Sequence, residues 1–437
     1  MTASLRIVLG LLGLSLLALV VTGLPIYSRL SYFWGFLLVA SWLWAALALR
    51  GIQIRREARA LRSQVGQVFQ ERFDIRNDGR LPHLWLEVRD QSPLPGSQGS
   101  HVFVNLRGRQ QRSYLVRTRL AQRGVFSLGP TVLASGDLFG LFPVSRVLPS
   151  DSSLLVYPIT VDVRTFPGPP GLLPGGEALR RRTHQVTPNA AGVREYAPGD
   201  SLNRIHWAST ARRDRLMVKE FELDPLAEVW ILVDAARDVQ AALPYTPPTL
   251  AIDALWNPIT EPMLPPSTEE YAVSIAGSLG QYFLQRGRAV GLVSCDQSFK
   301  RGKGPNVLPP DRGGRQLAKI LEALALLRAE GKLSISALAT AQAQHLPRGS
   351  TVVLITPSVR EEVALTVDLL LRRGLRPVVV LLEAASFGGP PGTKNLMTAI
   401  TMLGVPVCHV ANGADLGVAL SMAAPPLAPR RERGRNL

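Results

Sequence analysis

Cysteine and lysine are both scarce in this 437-residue chain, and each scarcity excludes something. The only two cysteines, Cys295 and Cys408, stand far apart inside apolar runs, which leaves no disulfide framework and no zinc-ligand spacing and fits a reducing compartment. Six of the 49 basic residues are lysine; the rest are arginine, spread along the chain rather than massed. The formal charge of +16 therefore builds no basic arm, and no nucleic-acid partner is expected. His206 has no serine or cysteine nucleophile pattern near it, and Cys408-His409 is the one adjacent cysteine–histidine pair, in an apolar context that favours a buried cysteine; the chain reads as a non-enzyme with no catalytic residue assigned and no cofactor expected. What is abundant is apolar: 46% of residues are hydrophobic, and the mean hydropathy is +0.13. That excludes a largely disordered polymer, and the length suits two or three domains.

Charge is missing altogether from Ile7 to Tyr27 and again from Leu30 to Leu49. Each stretch is long enough to cross about 30 Å of hydrocarbon as a helix. Residues 1–50 are thus expected to form a transmembrane helical hairpin, with helices near 7–27 and 30–49 and Ser28-Arg29 as the turn. A cleaved signal peptide fits less well, because no small-residue cleavage site closes the first run and a second span follows at once. One arginine (Arg29) lies in the expected turn, whereas Arg50, Arg55, Arg56, Arg59 and Arg62 follow the second span. The positive-inside rule then puts both termini in the cytoplasm, as a two-pass protein of the inner (plasma) membrane. The same arginines are placed to meet anionic lipid head groups.

Residues 65–158 alternate apolar and polar positions over short spans broken by turn signals such as Asn77-Asp78-Gly79 and Gly129-Pro130, the pattern of a β-sandwich-like unit. The Asn-Asp-Gly run predicts a tight hairpin. From 226 to 424, nearly continuous apolar runs (229–233, 289–294, 351–355, 377–382) alternate with amphipathic stretches (268–286, 314–328, 359–373). Buried parallel strands and covering helices give such a pattern, hence a doubly wound α/β domain and, overall, an α+β multidomain chain. A proline-rich insertion at 242–267 interrupts it, and a basic tail at 425–437 ends the chain.

Between these units, a segment at 176–222 carries the densest motif, GVREYAPGDSLNRIHWASTARRDRLMVKEFE from Gly192 to Glu222. Pro198-Gly199 fits a type II turn, and Asp200 or Ser201 is the expected cap of a short helix with Ile205 and Ala208 on its apolar side. Charges of both signs crowd the segment. Two readings stay open: a mutually satisfied structural network, or an anion or partner-carboxylate site made by Arg194, Arg204, Arg212 and Lys219 near a helix N-terminus. Tyr196, Gly199, Asp200 and Trp207 complete that set of candidate residues. A hydrolase or transferase centred on residues 192–222, with His206, Asp200 and Arg204, is the enzymatic alternative.

The residues Gly192, Arg194, Tyr196, Pro198, Gly199, Asp200, Arg204, Ile205, Trp207, Ala211, Arg212, Leu216, Val218, Lys219 and Phe221, with the upstream Arg123-Gly124 and Gly140-Leu141-Phe142, resemble the bacterial proteins carrying domain of unknown function 58. The resemblance implies a C-terminal von Willebrand A-like domain. It also implies genes beside MoxR-type AAA+ ATPases, often with other membrane proteins of the same operon. No activity is implied. A von Willebrand A domain would carry a metal motif Asp-x-Ser-x-Ser after its first strand; here Asp234-Ala235-Ala236-Arg237-Asp238 keeps the aspartate and loses both serines. Asp234 and Asp238 are thus candidate ligands of a degenerate metal site. The expected function is a membrane-tethered cytoplasmic scaffold or adaptor, engaging a MoxR-type ATPase or client proteins through the α/β domain. The alternative of another class is a metal-dependent protein-binding module.

Overall fold

The computed structural model describes residues 2–97, 99–167, 190–196, 205–221, 228–245, 264–295 and 305–424. Two compact units emerge, the first running from Met1 to Ile159, the second holding Thr160–Tyr245 and the chain from Leu264 onward.

The first unit opens with two apolar helices, α1 (Ala3–Thr22) and α2 (Pro25–Leu47), each long and apolar enough to cross a membrane. Their boundaries differ from the charge-free runs. Gly23 takes a left-handed φ of 65° and returns its N–H to Leu19, which ends α1; Pro25 at the first helical position then starts α2. The turn is therefore Gly23-Leu24, and Ser28 and Arg29 lie inside α2. Absence of charge marks where hydrocarbon is tolerated, whereas glycine and proline mark where a helix stops. Ser15 and Ser31 meet across the hairpin at 3.0 Å.

From α2 the chain enters strand almost at once: β1 (Ile52–Ala58), β2 (Arg62–Gln64), β3 (Val68–Asn77), β4 (His83–Asp90), β5 (His101–Leu106), β6 (Gln111–Arg119), β7 (Gly124–Ser127), β8 (Thr131–Gly136), β9 (Pro143–Leu148) and β10 (Ser153–Tyr157). Strand structure thus begins 13 residues upstream of the expected residue 65. Two antiparallel sheets, β1-β3-β6 and β5-β4-β8-β9, share one core of Ile52, Phe73, Ile75, Leu86, Val88, Phe103, Leu106, Val116 and Leu133. A third sheet, β2-β10-β7, closes over Phe69, Leu120, Leu154 and Val156. The expected hairpin at Asn77-Asp78-Gly79 is not one. β3 pairs with β1 and β6, and β4 with β5 and β8, so this run crosses between sheets. Buried Asn77 holds the crossing by accepting from the Gly79 N–H (2.9 Å) and donating to the carbonyls of Leu81 (2.9 Å) and Arg107 (3.0 Å).

One of the arginines expected at the lipid surface is committed elsewhere. The guanidinium of Arg56 on β1 forks onto Glu71 (2.6 and 2.9 Å) and onto Asp90 (3.0 and 3.2 Å), with both carboxylates almost fully buried. Its face lies over the ring of Phe73 at 4.9 Å, and Phe73 stacks on Tyr114. Two carboxylates buried without it would face a large desolvation cost, so Arg56 belongs to the sandwich rather than to head groups.

The second unit contains a two-stranded antiparallel sheet of β11 (Ala190–Glu195) and β12 (Met217–Phe221), with α3 (Trp207–Arg213) between them in sequence. Its main body is a seven-stranded sheet of β13 (Glu228–Val233), β14 (Ala289–Ser294), β15 (Asn306–Asp311), β16 (Thr351–Thr356), β17 (Arg376–Leu382), β18 (Val407–Val410) and β19 (Ala423–Ala424). The spatial order is β15-β14-β13-β16-β17-β18-β19; the five central strands are parallel, and β15 and β19 pair antiparallel at the edges. Side chains alternate between two cores. Val229, Ile231 and Val233 face one core together with α4 (Thr268–Gln285), α5 (Gln316–Leu326) and α9 (Leu416–Ser421). Trp230 and Leu232 face the other, with α6 (Ile335–Gln342), α7 (Glu362–Arg372) and α8 (Thr393–Met402). Helices therefore cover both faces of a mostly parallel sheet, which explains why its central strands are apolar without interruption.

Candidate functional site at the carboxyl edge of the sheet

After β13 the chain returns to one side of that strand as β14 and later to its other side as β16. The carboxyl ends of β13 and β16 therefore flank the point where strand order reverses, the usual binding crevice of an open α/β sheet. Asp234 follows β13 there and is 3% exposed. Its Oδ1 accepts the Ala236 N–H at 3.1 Å and its Oδ2 accepts the Thr356 hydroxyl at 2.6 Å. Thr356 Oγ1 in turn accepts the Ser358 N–H at 2.9 Å, and the Ser358 hydroxyl oxygen accepts the Arg360 N–H at 3.3 Å. Each strand end is thus folded over by its own short polar side chain, and the two turns are joined by the aspartate–threonine bond.

Burial is the dominant influence on Asp234, pushing its carboxyl up to about 6 against the lowering effect of the bonds from Thr356 and Ala236. Nearby Asp238 pushes the same way, and Arg360 opposes it. The loop is pinned by backbone: the Gly331 N–H reaches the Ala235 carbonyl (2.8 Å) and the Arg237 N–H reaches the Gly331 carbonyl (2.9 Å). Above this buried centre, Asp238 Oδ2 meets Arg360 Nη2 at 2.7 Å, and both side chains are about half exposed. The rim also carries the ends of the proline-rich insertion, stitched by an Ala242–Ser267 bridge and a Leu243 N–H to Pro266 carbonyl bond of 3.0 Å; its middle lies outside the described residues.

A divalent cation does not fit these residues well. Ala236 brings no side-chain oxygen, Asp238 is neutralised by Arg360, and both oxygens of Asp234 already accept hydrogen bonds. Among the described residues no three His, Cys, Asp or Glu side chains group as a metal site. The hydroxyls of Thr356 and Ser358 belong to no motif in the sequence; two hydroxyl residues two apart at the end of an apolar strand are the signal that marks them.

The signature segment is arranged differently from expectation. Its helix is capped by His206, not by Asp200 or Ser201: His206 Nδ1 accepts the Ser209 N–H at 3.2 Å and lies 2.7 Å from the Ser209 hydroxyl. That leaves His206 committed to a cap. Trp207, at the first helical position, is 68% exposed, while Ile205, Met217 and Val218 are buried. Arg212 sits in the last turn of α3 and is exposed. Arg194 and Lys219 occupy neighbouring rungs of the β11–β12 ladder, Arg194 opposite Val218 and Lys219 opposite Val193. The Tyr196 N–H extends that pairing to the Leu216 carbonyl at 2.8 Å. Gly199, Asp200 and Arg204 lie outside the described residues. Cys408 and His409, adjacent on β18, point to opposite faces and form no nucleophile–base pair; burial pushes the Cys408 thiol up to about 12.

Residues 192–241 match the family described as protein of unknown function DUF58. The match spans residues 192–222 of the signature segment, β13 and the Asp234–Asp238 turn. The uncharacterized protein YeaD of Bacillus subtilis is 26% identical over 232 residues, covering 52% of this chain and 49% of YeaD. The chain thus spans about half the length of the curated relative it matches. Among solved structures, a CARDB domain from Pyrococcus furiosus in complex with di-metal ions gives a TM-score of 0.18 at 10% identity, over 24% of this chain and 91% of that one. A GH20 exo-β-N-acetylglucosaminidase from Vibrio harveyi also gives 0.18, at 8% identity, over 77% of this chain and 58% of that one. Scores this low carry no argument about fold or activity.

Proposed function

We propose that this chain is a non-enzymatic, membrane-tethered scaffold that binds a protein partner through the carboxyl edge of its α/β sheet. The observation that carries the reading is the Asp238–Arg360 pair, displayed half-exposed on a rim fixed from beneath by Asp234 and Thr356. An ion pair in that position contributes little to stability, yet it presents one donor fork and one carboxylate to an incoming surface, where charge complementarity sets partner choice. Strand order around β13, with an antiparallel third strand, supports a von Willebrand A-like domain, and the DUF58 resemblance makes a MoxR-type AAA+ ATPase the partner of choice. The apolar hairpin supplies the tether, with both termini and the folded body on the cytoplasmic side.

Affinity capture of the tagged full chain from detergent-solubilised membranes tests this. The expected result is recovery of an AAA+ ATPase with the parent chain, loss of most of it with Asp238→Arg, and no return with Asp238→Arg combined with Arg360→Asp, which restores the ion pair but reverses the charges shown to the partner. Recovery of the chain alone, or undiminished capture by the single variant, refutes the proposal.

A further inference from the structure

In the first unit, the loop between β8 and β9 is built to display apolar side chains. Asp137, almost fully buried, accepts the Phe139 N–H on Oδ2 (3.0 Å) and the Phe142 N–H on Oδ1 (2.7 Å), and Gly140 turns the chain with a φ of 65°. This holds Leu141 inward at 2% exposure and leaves Leu138 and Phe139 outward at 67% and 59%. A loop that uses a buried carboxylate to hold two large apolar side chains in the open is not accounted for by packing within the unit.

The position of the loop identifies what those side chains meet. The Thr2 hydroxyl, at the cap of α1, donates to the Leu141 carbonyl at 2.9 Å. A cavity of about 420 Å³ at this place is lined by Thr2 and Leu5 of the first helix, Trp42 and Ala46 of the second, and Leu141 and Phe142 of the loop. Trp42 lies five residues before the end of α2, about 7 Å back along the helix axis. The loop therefore reaches about one helical turn past the end of the apolar hairpin, to the level of a tryptophan where a bilayer changes from head groups to acyl chains. The sandwich is seated firmly against that end: the Asp78 N–H bonds the Gly51 carbonyl at 2.8 Å, and Ala48 and Ile52 are buried.

We propose that the Leu138–Phe139 tip is a third membrane contact, immersed in the interfacial zone of the lipid leaflet beside the ends of α1 and α2. It rests on the reading of that hairpin as membrane-spanning. The tip fixes the sandwich against the bilayer surface, and so limits how the folded body swings beneath the hairpin.

Site-directed spin labelling tests this in the full chain with Cys295→Ser and Cys408→Ala, reconstituted into vesicles of phosphatidylcholine and phosphatidylglycerol. Labels go at Phe139→Cys, at Leu17→Cys in the middle of α1, and at Leu115→Cys on β6. Leu115 is exposed, and through Arg72 its ladder reaches Glu57, five residues or about 17 Å along β1 from Ile52. The expected result is collision with oxygen exceeding collision with a water-soluble nickel chelate at Leu17 and Phe139, and the reverse at Leu115. A lipid signal at Leu17 with an aqueous one at Phe139 overturns the inference alone. An aqueous signal at Leu17 overturns the hairpin reading and the inference with it. Shielding of Phe139 from both reagents means a protein contact and also overturns it.

Discussion

Replacing Asp234 by asparagine removes a carboxylate that the second unit holds with its carboxyl pushed up to about 6, against an ordinary value of 3.8. The sign follows from linkage. Between those two values the folded state binds a proton that the unfolded state does not, so stability falls as pH rises through the window and is flat on either side. The contribution is complete below pH 3.8 and lost above 6. A difference of about two pH units corresponds to about 3 kcal/mol. For a domain of this size that is a melting-temperature change on the order of 10 °C.

Asparagine copies the protonated acid, with one acceptor for the Ala236 N–H and one donor toward Thr356 Oγ1. The Thr356 hydroxyl then needs another acceptor, a cost that does not vary with pH and cancels when variants are compared across pH. Thermal unfolding of the full chain in detergent, from pH 4 to 8, should show Asp234→Asn gaining on the parent by about 3 kcal/mol as pH rises. Thr356→Val removes a bond that favours the ionised form, and should move the upper end of that window above pH 6. Parallel curves for parent and Asp234→Asn over the whole range would show that the carboxylate is not held as the structure has it.

Two other expectations are independent of that site. Arg56→Met leaves Glu71 and Asp90 buried without their shared guanidinium, and should destabilise the first unit by about 3–5 kcal/mol, seen as early proteolysis within residues 52–157 while the second unit stays resistant. Equal resistance of both units would count against the network. Cys408 is fully buried, with its thiol pushed up to about 12; a thiol reagent at pH 8 should modify at most one of the two cysteines in the native chain and both after denaturation. Rapid release of two equivalents from the native chain would contradict its burial.

The central strands were readable because burial on both faces forces an uninterrupted apolar run, and β13, β14, β16 and β17 fall within one residue of their expected limits. β15 leaves no such run, for the opposite physical reason. It is an edge strand with alternating exposure, and it contains Pro309 and Pro310, residues that a strand tolerates only where a ladder hydrogen bond is not needed. Gln316 makes up part of the loss, donating to the Val290 and Pro309 carbonyls at 2.8 and 2.9 Å. Helix limits in the hairpin failed by several residues because hydropathy is blind to Gly23 and Pro25.

The polar contacts that matter most share a property that hid them: their partners are remote in sequence. Arg56 finds Asp90 across 34 residues, and Asp234 finds Thr356 across 122. Read locally, Arg56 looked like one member of a juxtamembrane basic cluster, and Asp234 looked like the remnant of a metal motif. Each is instead neutralised or hydrogen-bonded by a group that only the topology brings near: the sheet of β1 packed against the sheet of β4 in the one case, β13 beside β16 in the other. The same reasoning separates two exposed features of these units, one charged and one apolar. The Asp238–Arg360 pair satisfies its own charges, half-exposed at the carboxyl edge of the sheet. Leu138 and Phe139 have no polar group to offer, and what stands beside their loop is the apolar hairpin.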